Sequence, residues 1–447
     1  MSRPPFRKQN AAPPQKAPNE SGTDGGMRAR LAALDLIVAA QARRGGLDEA
    51  LNAHAFRALS PEDRGFAHAL TLAYLRRRGL IEAELQKRLH KVTPEPVLAL
   101  LRLGVVQLTA LRTPAHAAVA TTVKLAERRN ETRPYKGLIN AVLRGIAREG
   151  AAEPDPALAV PDWLLQRWSQ AHGAERALAT AARLLDEPPT DLSLKPQADA
   201  AAVAEALQGR VLAGGTVRSS LRGDVTAWPR FAAGDWWVQD AAAAFPARLL
   251  AVKPGETALD LCAAPGGKTL QLAAAGAEVV ALDRSASRLK RLTANLERTG
   301  LAAEVVVADG ETWDDPRLFD AVLLDAPCSA TGTFRRNPDV LWATRPTDIA
   351  KLADVQHRLL DAAAARVKPG GRLVYCVCSL EREEGETQAL AFLRRAPQFQ
   401  LERIAPLAVG APPASATEQG WLRILPGDGP EPEGQDGFFA ALFTRQS

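Results

Sequence analysis

Residues 259–269 read LDLCAAPGGKT: a short apolar strand, a turn containing Gly266 and Gly267, and the start of a helix. The glycines let a ligand approach the backbone, and the first turn of the helix offers N–H groups with no partner inside it. A phosphate loop would need glycine five positions before Gly267. Cys262 stands there, which excludes that NTPase motif. Outward from this turn, strand and helix patterns alternate. Strands are expected at 257–261, 278–283, 304–308, 321–325, 371–376 and 437–443, with helices at 268–275, 285–299 and 347–366. The alternation predicts an α/β domain over 238–447, doubly wound around a mostly parallel sheet. Ligands of such sheets bind at the carboxyl ends of the strands. Three of those ends carry an acid: Asp283 (VVALD), Asp309 (VVVAD) and Asp325 (VLLD). Asp283 lies 16 residues after Gly267, where an acid typically takes the hydroxyls of a ribose. Three strand-end acids after a glycine-rich first turn point to an adenosine-containing cofactor.

The front of the chain follows a helical period instead. Leu31, Leu34, Ile37 and Val38 share one face of an expected helix over 28–41. Ser60-Pro61 reads as an N-cap followed by proline at the first helical position, and Thr93-Pro94-Glu95 as another helix start. With helices near 115–129 and 135–148, residues 27–150 form an expected all-α bundle of roughly five or six helices. Residues 150–161 read as a linker, 162–185 as a helix pair carrying Trp163 and Trp168, and 190–237 as a small α+β subdomain. Residues 1–26, polar and rich in Pro, Gly and Asn, lack the apolar core of a secretory signal and read as a disordered tail.

The 447-residue chain carries 56 Lys+Arg against 51 Asp+Glu, but the balance is uneven. The tail holds +2, residues 27–150 hold +10 from 21 basic and 11 acidic side chains, and the remainder holds −7. A basic helical module on an acidic body points to a polyanionic partner. Arg76, Arg77 and Arg78, beside Lys87, Arg88 and Lys91, are its candidate phosphate-binding face. The absence of an apolar run of about 18 residues excludes a membrane helix. Four cysteines in so long a chain cannot build a disulfide framework, so a reducing cytoplasm is expected. Nor does Cys376-Val377-Cys378 have the nearby histidines of a zinc site, so no metal is expected.

Taken together, LDLCAAPGGKT, DAPCSATG (325–332) with RRNPD (335–339), and LVYCVCSLEREEGE (373–386) resemble the S-adenosylmethionine-dependent RNA cytosine-5 methyltransferases. The similarity is greatest to the RsmB family, which acts on small-subunit ribosomal RNA. It extends through VQDAAAAFPARLL (238–250). In the front module, PEDRGFAHALTLAYLRR (61–77) and KGLINAVLR (136–144) are similar to NusB-type RNA-binding domains. The expected architecture is therefore a NusB-like helical domain plus a Rossmann-like class I methyltransferase domain.

The resemblance implies that Cys262, Ala263, Ala264, Pro265, Gly266, Gly267 and Lys268 wrap the methionine and ribose of S-adenosylmethionine. It places Asp283 on the ribose, Asp309 by the adenine and Asp325 near the reacting base. Cys378 matches the family nucleophile, and Cys328 the cysteine that assists product release. The chemistry suits these residues: carbon 5 of cytosine is a poor nucleophile until a thiolate adds to carbon 6, and cysteine is intrinsically the most nucleophilic side chain near neutral pH. Asp325 can hydrogen-bond the base edge and relieve the charge that builds on addition. Relatives mostly have threonine before the nucleophile. Here Cys376 and Cys378 both stand as candidates, residues two apart on a strand sharing a face, although the Cys-Ser dipeptide points to Cys378. For Cys262, burial as an inert thiol is the expectation.

Arg335 and Arg336, just after Cys328, could hold RNA phosphates. Trp342 is expected to pack and His357 to lie on the surface. The expected partner is small-subunit ribosomal RNA, met by a monomer. A transfer-RNA or large-subunit RNA methyltransferase, and a non-catalytic RNA-binding or antitermination factor, are the alternatives.

Overall fold

The computed structural model describes residues 25–42, 45–150 and 153–447; the expected tail lies almost wholly outside them. Among the described residues no helix is long and apolar enough to cross a membrane. The chain divides into two compact units. The first is helical, drawing on α1 (Gly25–Ala42), α2 (Gly46–Asn52), α3 (His54–Arg57), α4 (Pro61–Gln86), α5 (Glu95–Thr109), α6 (Ala115–Glu127) and α7 (Lys136–Glu149). Ser60 caps α4 as its sequence announces, its hydroxyl accepting from the Asp63 N–H at 3.1 Å. On α7, Ile139, Val142, Leu143 and Ile146 recur at helical spacing and are all buried. Leu143 packs where Gly104 has no side chain: a Cβ there would stand 2.5 Å from Leu143 Cδ1. The stretch Leu75–Glu84 of α4 groups with the second unit, not the first.

In the second unit, α8 (Asp162–His172) and α9 (Ala174–Ala182) precede a four-stranded antiparallel sheet. That sheet comprises β1 (Thr190–Leu194), β2 (Gly209–Val211), β3 (Val217–Ser219) and β4 (Trp236–Val238), in the order β2-β3-β1-β4, with α10 (Ala200–Ala206) packed on it. The main body follows: α11 (Ala241–Leu249), β5 (Thr257–Leu261), α12 (Gly267–Ala274), β6 (Glu278–Asp283), α13 (Ala286–Thr299), β7 (Glu304–Val307), β8 (Phe319–Asp325), α14 (Asp339–Ala343), α15 (Pro346–Ala365), β9 (Val367–Val377), α16 (Glu386–Arg395), β10 (Phe399–Glu402), β11 (Leu422–Ile424) and β12 (Phe438–Arg445). The eight-stranded sheet runs β10-β12-β9-β8-β5-β6-β7, with β11 paired to β12.

Strands β5 to β9 pair in parallel, whereas β12 runs antiparallel to β9, β10 and β11. Their continuous Val, Leu and Ala runs follow from burial on both faces. Leu259, Leu261, Val322 and Leu324 face one side, while Ala258, Ala321 and Leu323 face the other. The order reverses at β5, where β6 lies on one side and β8 on the other. Adjacent loops must diverge there and open a crevice at the strand ends.

Candidate active site

Four strand ends meet at that crevice. After β5, Cys262 takes a left-handed conformation at φ 64°, Ala264–Pro265 is cis, and Gly266 has φ 106°. Gly266 is required twice over, because a Cβ there would also meet Leu292 Cδ1 at 2.3 Å. Asp283, ending β6, secures this turn: its Oδ2 accepts from the Ala264 N–H at 3.1 Å, and its Oδ1 from the Ser285 N–H at 2.8 Å. Each carboxylate oxygen keeps a further acceptor position. Asp309, beyond β7, is exposed and closes a local turn by accepting from the Glu311 N–H at 2.9 Å. Cys262 is partly exposed, and burial of its thiol, with Asp283 and Asp325 nearby, pushes that thiol up.

One acid escaped the sequence reading. Asp260, inside β5, is 1% exposed; its Oδ2 accepts from Thr269 Oγ1 at 2.6 Å, and its Oδ1 has no partner among the described residues. Burial raises its pKa to about 7. The signal was present, a charged residue within an apolar strand. These groups fit a cofactor with an amino group and a ribose: an orphaned carboxylate oxygen, a strand-end acid with spare lone pairs, and a glycine turn opening a helix.

At the end of β8, Asp325 accepts from Lys268 Nζ at 2.7 Å. Burial opposes the Lys268 charge, but Asp325 outweighs it and holds the ammonium above its ordinary range. Strands β8 and β9 pair Asp325 with Cys376, whose Sγ lies 3.6 Å from Asp325 Oδ1. Cys376 is fully buried, and burial with the Asp325 charge pushes its thiol up. Cys378 stands one residue beyond β9 and is partly exposed, with its Sγ 3.5 Å from Cys328 Sγ. The bond to Cys378, together with burial, pushes the Cys328 thiol well up. Of the two candidates on this strand, Cys378 is therefore the one at the open end beside the second thiol.

The arginines require correction. Arg335 has no exposed surface, and Arg336 lies 2.6 Å from Asp240 and 3.3 Å from Asp436. Arg76 is 4% exposed and donates to the Arg335 carbonyl within the same unit; Arg78 stacks 4.6 Å from the Trp342 ring centre, and Arg77 is partly buried. Arg336 donates to Asp240 and to the Pro189 carbonyl, Arg335 is buried and donates to the Glu433 carbonyl with Asp436 3.6 Å away, and Arg76 is turned to the Arg335 carbonyl, so these three side chains are directed into the protein and not toward phosphates. Sequence shows a basic run but not its partners. Trp342 packs in an apolar cluster and His357 is exposed, as expected. Among the described residues no group of three or more His, Cys, Asp or Glu is arranged to hold a metal ion.

A family model described as 16S rRNA methyltransferase RsmB/F matches residues 247–444, and a NusB family model matches residues 27–148. The chain is 36% identical to Ribosomal RNA small subunit methyltransferase B of Vibrio vulnificus, over 94% of this chain and 100% of that one. It is 37% identical to the protein of the same name from Xanthomonas campestris, over 94% and 98%. Among solved structures, PH0851 superposes with a TM-score of 0.73 at 26% identity, covering 95% of this chain and 99% of that chain. A methyltransferase homolog protein from Pyrococcus horikoshii gives 0.54 at 26% identity, over 66% and 100%. The chain thus belongs to the RsmB/F family of 16S rRNA methyltransferases, with a NusB-family domain preceding its Rossmann-like methyltransferase domain.

Proposed function

We propose that this protein methylates carbon 5 of a cytosine in 16S ribosomal RNA through a transient bond between Cys378 and carbon 6. The observation that carries the reading is the pair of thiols, 3.5 Å apart, at the strand ends beside Asp325. S-adenosylmethionine, held by residues 262–268 with Asp260, Asp283 and Asp309, supplies an electrophilic methyl group when bound. The Cys378 thiolate adds to carbon 6, forming an S–C bond and shifting the ring double-bond electrons to carbon 5, which becomes nucleophilic. Asp325, supported by Lys268, meets the base edge as charge builds there. Once carbon 5 carries the methyl group, a base removes its proton, the ring double bond re-forms and the Cys378 sulfur leaves. Cys328, kept neutral by burial and its partner, assists that departure. The cytosine must leave its stack for the thiol to reach carbon 6, and the basic helical unit holds RNA by charge.

The test is methyl transfer from labelled S-adenosylmethionine to deproteinised 16S ribosomal RNA, read by nucleoside mass spectrometry. Wild type is expected to form 5-methylcytidine. Cys378→Ala should lose at least about 10³-fold in rate, and Cys328→Ala should accumulate an RNA–protein adduct. Full activity of Cys378→Ala would sink the nucleophile assignment. An adduct trapped only in Cys378→Ala would exchange the two roles.

A further inference from the structure

One buried carboxylate, unused in the chemistry above, touches both cysteine-bearing turns. Glu384, between β9 and α16, is 0% exposed. Its Oε1 accepts from the Ser329 N–H at 2.8 Å and from Gln356 Nε2 at 3.2 Å. The hydroxyls of Ser329 and Ser379 each donate to its Oε2 at 2.5 Å. Ser329 follows Cys328, and Ser379 follows Cys378. Gln356, on α15, also donates to the carbonyl of Pro327 at 2.9 Å, directly before Cys328. The Ser379 hydroxyl accepts from the Glu381 N–H at 3.0 Å, which turns its own proton toward Glu384. From β9, the Tyr375 hydroxyl donates to the Glu384 carbonyl and anchors the acid itself.

A buried carboxylate is tolerated only when its lone pairs are met. Here the donors that meet them sit next to the two thiols, so the acid is satisfied only when both turns are seated. We propose that Glu384 is a positioning residue that sets the spacing of Cys328 and Cys378, through Ser329 and Ser379, for addition to and release of the base. The inference rests on the roles given to those thiols above. The Glu384 charge also adds to the forces that keep the Cys328 thiol protonated.

Spacing can be measured without methyl transfer. Diamide takes two electrons and two protons from a thiol pair, becoming the hydrazine while the sulfurs join as a disulfide. The rate at which full-length protein forms the Cys328–Cys378 disulfide, mapped by peptide fragmentation, reports how often the sulfurs meet. Glu384→Gln keeps the shape but replaces an acceptor with a donor. It is expected to slow cross-linking and to lower kcat, each by on the order of tenfold or more, as a displaced reacting group does. Its KM for RNA and its affinity for S-adenosylmethionine should stay within about twofold, because neither ligand is held by Glu384. Ser329→Ala and Ser379→Ala, each removing one tether, should fall in between. An unchanged cross-linking rate, or slower cross-linking with unchanged kcat, overturns the proposal. If Glu384→Gln does not fold, the Ser329→Ala/Ser379→Ala double variant decides by the same two measurements. Retained methylation in Cys378→Ala would instead count against the nucleophile assignment, and the cross-linking rate would still report the spacing.

Discussion

The two sides of the strand-end crevice are made of different material. On the β5–β6 side the site is mostly backbone: a left-handed Cys262, a glycine with no room for a side chain, and N–H groups fastened by Asp283. On the β8–β9 side it is side chains: Asp325 with Lys268, two thiols, and the acid Glu384 beneath them. The contrast follows from the tasks. A cofactor can be recognised by a shape that many sequences share, whereas a covalent step needs particular atoms at particular distances. Backbone sites should fail through sterics and side-chain sites through charge, so each side can be tested separately.

The largest effect is expected in the charged support behind the cysteine turns. Arg336 lies among Asp191, Asp240 and Asp436, and Arg218 bonds Asp191 at 2.7 and 2.8 Å. Arg336→Leu removes the close ion pairs to Asp240 and Asp436, leaving these buried acids only the more distant Arg335, and should cost about 3–5 kcal/mol in denaturant titration, with RNA affinity of the folded protein unchanged. Weaker RNA binding at full stability would restore Arg336 as a phosphate contact and break the comparison.

Next comes the backbone side. Gly266→Ala combines a positive φ with a Cβ clash against Leu292 and should cost about 2–4 kcal/mol. A thermal midpoint and S-adenosylmethionine titration would show lower stability and weaker binding. The Cys328–Cys378 cross-linking rate should stay as in wild type; if it falls too, the two sides are not separable.

The smallest effect is a pH slope. His172 Nε2 donates to the Leu380 carbonyl at 3.1 Å, two residues after Cys378. Burial, aided by the Arg423 charge, lowers its pKa to about 4. The unfolded imidazole takes a proton near pH 6.5 and the folded one does not. This neutral histidine therefore contributes its stability above about pH 6.5, and the contribution is lost as pH falls through about 4. The unfolding free energy across that window should drop by about 2–3 kcal/mol more in wild type than in His172→Gln, measured by denaturant titration at each pH. Equal slopes would remove His172 from the charge-dependent side.

Much of the fold was legible because burial leaves a period. β5 (Thr257–Leu261) and β6 (Glu278–Asp283) match the expected spans, and β8, β9, α13 and α15 lie within a few residues of theirs. α11, α16, β10 and β11 were not among the expected elements. β11 has three residues and β10 four, too few to show a period, while the Ala-rich run of α11 has no polar face to mark it. β9 begins earlier than expected, at Val367, which pairs with Phe319 across an irregularity. A pattern of apolar residues cannot announce such a start.

By itself, the sequence determined where the glycine turn, the strand-end acids and the two Cys-Ser dipeptides fall along the chain, because strand ends and turns are written in local residue types. Tertiary structure alone decided which charges met. It turned Arg335 and Arg336 inward to buried acids, brought Cys328 within 3.5 Å of Cys378 across 50 residues, and drew both turns onto Glu384. The physical reason is that apolar burial repeats along a chain and can be read from it. The partner of a charged or reactive side chain depends on which distant segment the fold places beside it.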